Sequence, residues 1–357
     1  MTGIMNISER KKILVCEFIT AGGYAAQPLP ESLVKEGMLM RDALLKDLNE
    51  LGQYDIVSMH DSRLPPAEMA LKSMLVSGDS FKSIFRQTIQ EVDFVWSIAP
   101  ETGGTLLELS EICYEAEQAE NGPVFIGSGY DTMLIGTSKT LCFEALRDAR
   151  INTLPVHAAE DLLLPDYYQK LISQEPLSWV AKPEDGAGCE GIRLFSSLQL
   201  LRDWLSEDEA HLDYLAQPYQ SGISASMSLL CRNGKAYVLS CNQQHVVCEN
   251  QQFKLTGITV NGMTAYRRGF ETIARKIAQM LPDALGYIGV DMIVNPQSHR
   301  IEVLEINPRL TTSYVGLHQA LNTNPAKLIL DCVLADQFLM PEFSNHGLTQ
   351  HTVEITL

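Results

Sequence analysis

The first third of the chain alternates short apolar runs with longer stretches of helical periodicity. Ile13-Leu14-Val15-Cys16-Glu17-Phe18 reads as a buried strand. It runs into Thr20-Ala21-Gly22-Gly23, a turn whose glycines permit close backbone approach. From Glu31 to Leu51, Leu33, Val34, Met38, Leu44, Leu45 and Leu48 recur at helical spacing, the stripe of a core-facing helix. Asp55 to Met59 predicts a strand, Phe81 to Val92 a helix, Phe94 to Ile98 a strand, Leu106 to Ala119 a helix and Val124 to Ile126 a strand. Strands alternating with helices imply a mostly parallel sheet covered on both faces. Residues 1–128 are therefore expected to form one open α/β domain.

After Gly129 the pattern changes. Ser138 to Arg150 predicts a helix with Lys139 in its first turn, Trp179 to Lys182 a strand, Asp185 to Gly191 a glycine loop, Ile192 to Phe195 a strand and Leu198 to Leu205 a helix. From Tyr214 the chain reads as antiparallel. Met227 to Cys231 and Ala236 to Cys241 flank Asn233-Gly234, a hairpin turn signal. Phe253 to Val260, Tyr287 to Val294 and Arg300 to Ile306 predict further strands, Phe270 to Met280 a helix, and His318 to Ala335 mostly helix. The stretch 336–357 carries no clear pattern, and no internal repeat is present.

Composition narrows the function. The 357 residues carry a formal net charge of −17, with no local basic cluster, so the electrostatic footprint of a nucleic-acid binder is missing. No apolar run approaches the roughly 20 residues of a membrane span. The leading segment is a ragged tail rather than a signal peptide. Eight scattered cysteines without a CxxC are expected to be reduced, mostly buried thiols of a cytoplasmic protein. Lone histidines such as His60, His157, His245 and His318 have no ligand-like spacing and are expected in core or surface roles.

Three features carry chemistry. Lys182 precedes a loop containing Gly186, Gly188 and Gly191. The GxGxxG spacing alone is weak evidence, and here a strand rather than a helix follows. A glycine loop between strands is instead a flap whose bare amides can close over phosphates, with Lys182 projecting to the same place. Lys139 opens a helix, where a cation gains nothing from the dipole, so an anionic ligand explains it better. Finally, Asp291 and Glu305 lie on neighbouring antiparallel strands that can present them to each other, and alternation puts Asn307 on the face of Glu305. Such carboxylates repel unless a cation sits between them, and an all-oxygen set suits Mg²⁺. Arg309, just beyond, is placed to stabilise charge on a transferring phosphoryl group.

These stretches, together with Gln217-Pro218-Tyr219, resemble the ATP-grasp superfamily of carboxylate–amine ligases over the whole chain. The resemblance implies an α/β and α+β architecture: a preATP-grasp open parallel α/β domain (1–128), then the two-part ATP-grasp fold, with a small lid subdomain (129–213) and a large subdomain with an antiparallel sheet (214–357). It implies that Lys139 and Lys182 contact ATP phosphates and that Gln217 and Tyr219 lie in the adenine-binding segment. Asp291, Glu305 and Asn307 would hold Mg²⁺, with Mn²⁺ as an alternative, and Arg309 would help bind an acyl phosphate. Position 217 is often Glu in relatives, and the acidic ribose-binding residue many have near Ser224-Ala225-Ser226 is missing here. Cys16 to Gly23 and Ile98-Ala99-Pro100-Glu101-Thr102 resemble the subgroup that joins L-glutamate to tyramine or a related aromatic amine in methanofuran and methylofuran biosynthesis.

The expected reaction is attack of a small-molecule carboxylate on ATP to give an acyl phosphate and ADP, then capture of the acyl group by an amine. Thr20, Gly22, Gly23 and Glu101 are the candidate substrate residues, because ligands of open α/β sheets lie past the carboxyl ends of the strands. Glu101 keeps two readings, an ammonium ligand or a helix N-terminal acid favoured by the dipole. Other amino-acid substrates, as in a dipeptide-forming ligase, and a non-catalytic nucleotide-binding regulator are the competing functions. A homodimer is expected by analogy with relatives.

Overall fold

The computed structural model describes residues 10–172, 178–186, 188–339 and 351–357. The expected leading tail up to residue 9, and Ala187 of the glycine loop, lie outside the described residues.

The N-terminal unit runs β1 (Lys11–Glu17), α1 (Glu31–Leu51), β2 (Tyr54–Asp61), β3 (Lys72–Val76), α2 (Phe81–Ile89), β4 (Phe94–Ile98), α3 (Thr105–Glu117) and β5 (Val124–Phe125). Its five strands form one parallel sheet in the order β3-β2-β1-β4-β5. The order reverses between β1 and β4, the point where an open α/β sheet leaves a crevice past its carboxyl ends. There the amide of Phe18 donates to the carbonyl of Ile98 at 2.8 Å. Leu14, Cys16, Val57, Met59 and Val95 pack beneath Phe85, Ile89, Leu106 and Leu109 on one face. On the other face Ile13, Val15, Ile56 and Trp96 meet Leu44, Leu45 and Leu48 of α1. Strand β3 escaped the sequence reading because its pattern is weak: Leu75 is exposed at the sheet edge.

Then follow α4 (Tyr130–Thr137), α5 (Lys139–Asp148), β6 (His157–Ala158), α6 (Ala159–Leu163), α7 (Pro165–Ile172), β7 (Trp179–Pro183), β8 (Arg193–Phe195), α8 (Leu198–Leu205) and β9 (Tyr214–Pro218). Trp179, Phe195, Leu201 and Trp204 give this part its own small core. The remainder is β10 (Ile223–Arg232), β11 (Lys235–Glu249), β12 (Gln252–Val260), α9 (Arg267–Met280), β13 (Gly286–Val294), β14 (Ile301–Asn307), α10 (Leu317–Leu321), α11 (Pro325–Leu334) and β15 (Val353–Thr356). One antiparallel sheet joins them in the order β14-β13-β10-β11-β12-β8-β7-β9-β6, with β15 on β12. The β12–β8 junction is a single residue pair, Gln252 with Arg193. The strands on its far side therefore hang on little backbone pairing, which suits a movable cover.

The helix expected over 318–335 is two helices. Asn322 turns left-handed at φ 49°, and Asn324 caps the second, which has Pro325 in its first turn. Helix α1 is wedged between the parallel sheet and α11, whose Ile329 and Leu330 share its core, so the two halves are packed continuously. Asp47 of α1 straps them at one point: it accepts from the Tyr314 hydroxyl at 2.7 Å and meets His318 Nδ1 at 2.6 Å. Glu50 is 3.8 Å from the other ring nitrogen of His318, a grouping that sequence spacing does not reveal. All eight cysteines are free thiols; six are buried, Cys189 is half-buried and Cys248 exposed. Among the described residues no helix is long and apolar enough to cross a membrane.

Candidate active site

Strands β13 and β14 pair with Asp291 directly opposite Glu305 and Gly289 opposite Asn307. Asn307 Nδ2 donates to Asp291 Oδ2 at 2.9 Å, and Gln244 Nε2 of β11 donates to Asp291 Oδ1 at 2.7 Å. Burial first, and then the neighbouring Glu305 carboxylate, push the Asp291 carboxyl far above the usual range. Two half-buried carboxylates and an amide oxygen facing one another fit a hard divalent cation with oxygen ligands. Gln244 was missed by sequence reasoning. The signal was a row of polar residues on one face of three adjacent strands: Ser224 and Ser226 on β10 are small enough for Gln244 to reach across them to Asp291.

Lys139 begins α5 and is buried, with Nζ donating to the carbonyl of Gly186 at 2.6 Å and lying 3.9 Å from Glu305 Oε2. The amides of this helix start are already engaged. Ser138 Oγ accepts from Leu141, while the Glu184 carboxylate accepts from the Ser138 hydroxyl at 2.5 Å and from the amide and hydroxyl of Thr140 at 3.2 and 3.0 Å. Glu184 thus acts as the helix's own anion and moors the flap to α5. Lys182 is buried on β7; burial chiefly, with Lys139 adding, lowers its ammonium to about 8, and Glu305 opposes the shift. A second buried lysine beside Lys139 is costly unless a strongly anionic group comes to them, which phosphates would supply.

Arg309 forms a bidentate pair with Glu101: Nε to Oε1 at 2.8 Å and Nη2 to Oε2 at 2.6 Å, both side chains buried. Burial alone would lower the guanidinium, but Glu101 holds it well above its ordinary range. Glu101 makes no side-chain cap at the short helical turn that it precedes, so its carboxylate serves Arg309 and not a helix end. The flap is tied to the same loop, since Asp185 Oδ2 accepts from the Gly103 amide at 2.6 Å. Gly136 of α4 supports the stretch between Asn307 and Arg309: a Cβ there would lie 2.3 Å from Pro308 Cδ, so α4 can approach only without one.

A cleft of about 850 Å³ opens at the switch point of the parallel sheet, with Arg309 in its wall. Its walls include Glu17 and Ile19 past β1, Ile98 to Pro100 past β4, Glu36 and Met40 of α1, Gly188 to Ile192 of the flap, Phe253 and Leu255 of β12, and Arg309. Thr20, Gly22 and Gly23 build the turn beside it. The Thr20 amide donates to Glu17 Oε2 at 2.8 Å and its buried hydroxyl to the Glu17 carbonyl. Gly22 has φ +96° against Val76, and a Cβ on Gly23 would strike the Phe18 ring at 2.3 Å. These three lie in the turn, and the neighbouring Glu17 and Ile19 line the cleft. Burial raises the Glu17 carboxyl, against the amides of Thr20 and Ile19. On the other side of the flap, Gln217 is buried with Nε2 donating to the Leu154 carbonyl at 3.2 Å. The Tyr219 amide is taken by the Ser178 carbonyl, and its half-exposed ring stacks near Phe253 at 6.4 Å.

Comparison with known proteins agrees with this architecture. The pre-ATP-grasp 3 domain family matches residues 54–121 and the ATP-grasp domain family residues 137–313. Tyramine–L-glutamate ligase of Methanocaldococcus fervens is 26% identical over 309 residues, covering 85% of this chain and 89% of that protein. The enzyme of the same description from Methanocaldococcus jannaschii is 26% identical over 320 residues, covering 88% and 86%. A crystal structure from Archaeoglobus fulgidus, described within the ATP-grasp superfamily, superposes with a TM-score of 0.64 at 19% identity, covering 97% of this chain and 99% of that one.

Proposed function

The chain is an ATP-grasp ligase resembling tyramine–L-glutamate ligase, an ATP-dependent enzyme that forms C–N bonds, and from that premise we propose that it joins L-glutamate to tyramine or a related aromatic amine through an acyl phosphate. One observation carries the reading. Two buried lysines and the Asp291, Glu305 and Asn307 set come from separate stretches of chain and meet, and Arg309, two residues past Asn307, lines the cleft at the switch point of the parallel sheet.

Lys139 and Lys182 offset phosphate charge, and Gly188 and Gly191 of the flap offer unobstructed backbone beside them. Asp291, Glu305 and Asn307 would hold Mg²⁺, or Mn²⁺ in its place, and Gln244 orients Asp291. The metal, when bound, supplies positive charge that neutralises phosphate oxygens. Arg309 stands at the junction of this cluster and the cleft, where it can follow negative charge onto a transferred phosphoryl group. Closure of the flap excludes water, which an acyl phosphate requires because it hydrolyses. Ile19, Met40, Phe253 and Leu255 give the cleft an apolar wall suited to an aromatic ring. The stretch of Gln217 and Tyr219 is the adenine side, with Tyr219 offering its ring more than its amide.

An ADP-release assay across carboxylates and amines tests the proposal. Turnover with L-glutamate and tyramine is expected. Turnover with alanine-type pairs alone replaces it with a dipeptide-forming ligase. ATP binding without turnover for any pair leaves a nucleotide-binding regulator.

A further inference from the structure

The cleft and the charged groups next to Arg309 hold several carboxylates, and most are committed. Glu101 neutralises Arg309. Asp291 is held by Gln244 and Asn307, and Glu305 lies beside Lys139. Glu17 is fully buried against the amides of Ile19 and Thr20. Glu31, Glu190 and Glu249 are exposed at the rim. Glu36 remains. It is half-buried in the cleft wall and, among the described residues, makes no ion pair. The buried Thr312 hydroxyl donates to its Oε1, which fixes the carboxylate as an acceptor. Glu36, Arg309 and the flap residue Cys189 line the same cleft.

We infer that Glu36 binds the ammonium of the acceptor amine and takes its proton as the amide forms, a step that rests on the ligase reading above. A half-buried carboxylate with one hydroxyl partner and, among the described residues, no ion pair is incompletely satisfied, and an ammonium supplies charge and donors together. The position is apt, because Arg309 marks where the activated carboxyl would lie. One proton passes from the ammonium to the Glu36 carboxylate and frees the nitrogen lone pair. The nitrogen bonds to the acyl carbon, and the C–O bond to phosphate breaks, its electron pair leaving with the phosphate. The second nitrogen proton goes to the departing phosphate.

Glu36→Gln keeps size and the Thr312 contact and removes the charge. With tyramine as acceptor, amide formation should fall by about 10²-fold, the scale of a lost general base. It should recover partly as pH rises and the free amine grows more abundant. With hydroxylamine, a free base at neutral pH, hydroxamate formation from L-glutamate and ATP should change less than about threefold, which also shows the variant folded. Equal amide formation by both proteins across the pH range overturns the assignment, as does an equal loss of hydroxamate. Calorimetric binding of tyramine against its neutral analogue 4-ethylphenol separates the two levels of argument. If the wild-type protein makes no hydroxamate, yet Glu36→Gln weakens tyramine alone, the ammonium site stands and the ligase reading falls. If neither ligand distinguishes the proteins, the site falls.

Discussion

The charged cluster and the cleft beside it are built on different principles. In the cluster the side chains sit on paired strands and at a helix start: Lys182 on β7, Asp291 and Glu305 face to face across β13 and β14, and Lys139 at the first position of α5. Each is fixed by regular backbone geometry. Around the cleft and Arg309 the groups come from irregular connections and from one helix: the turn after β1, Glu101 after β4, Glu36 on α1. They meet only because α1 is wedged between the parallel sheet and α11. One region is a charged frame fixed by regular backbone, and the other is a surface that packing assembles, which can change without rebuilding the first.

The largest effects should fall on the frame. Glu305→Gln should lower turnover by about 10³-fold and move the Mg²⁺ titration to higher concentration, since it removes charge that must meet phosphate and metal. An unchanged titration would separate Glu305 from the metal. Arg309→Ala touches both regions: kcat should drop by about 10²-fold with ATP affinity nearly intact. Combined with Glu101→Ala in a double-mutant cycle followed by urea denaturation, it should show a coupling of about 1–3 kcal/mol, because each single variant leaves a buried charge unpaired. Additive effects would mean that the pair is incidental. Gly136→Ala should cost about 1–3 kcal/mol of stability by overpacking against Pro308, read as a lower denaturation midpoint. The smallest effect is a pH dependence. Burial holds the free Lys182 ammonium near 8, and bound phosphate favours its charged form, so ATP binding takes up a proton above that pH. Affinity should be fully developed below about pH 8 and weaken above it, by at most about tenfold per pH unit. A flat profile for the wild type, or an unaltered slope in Lys182→Arg, contradicts this.

Where one rule of local geometry applied, the sequence was readable. Alternation along two strands joined by a short turn was enough to face Asp291 with Glu305, and the observed register does so. Lys139 opens its helix because Ser138 is a good cap. Thr20, Gly22 and Gly23 end the first strand, and close contacts of the two glycines with Val76 and Phe18 shape the turn. Their neighbours Glu17 and Ile19 line the cleft.

What the chain by itself determined is the order of strands and helices, the parallel and antiparallel halves, and the facing of Asp291 with Glu305, because periodicity and alternation are properties of neighbours in sequence. What only the tertiary structure decided is who partners whom across long separations. The Arg309–Glu101 pair, the reach of Gln244 over two serines, Glu184 at the head of α5 and the uncommitted Glu36 all depend on distances between elements. Those distances are set by how side chains fill the space between packed layers, and no local pattern encodes that.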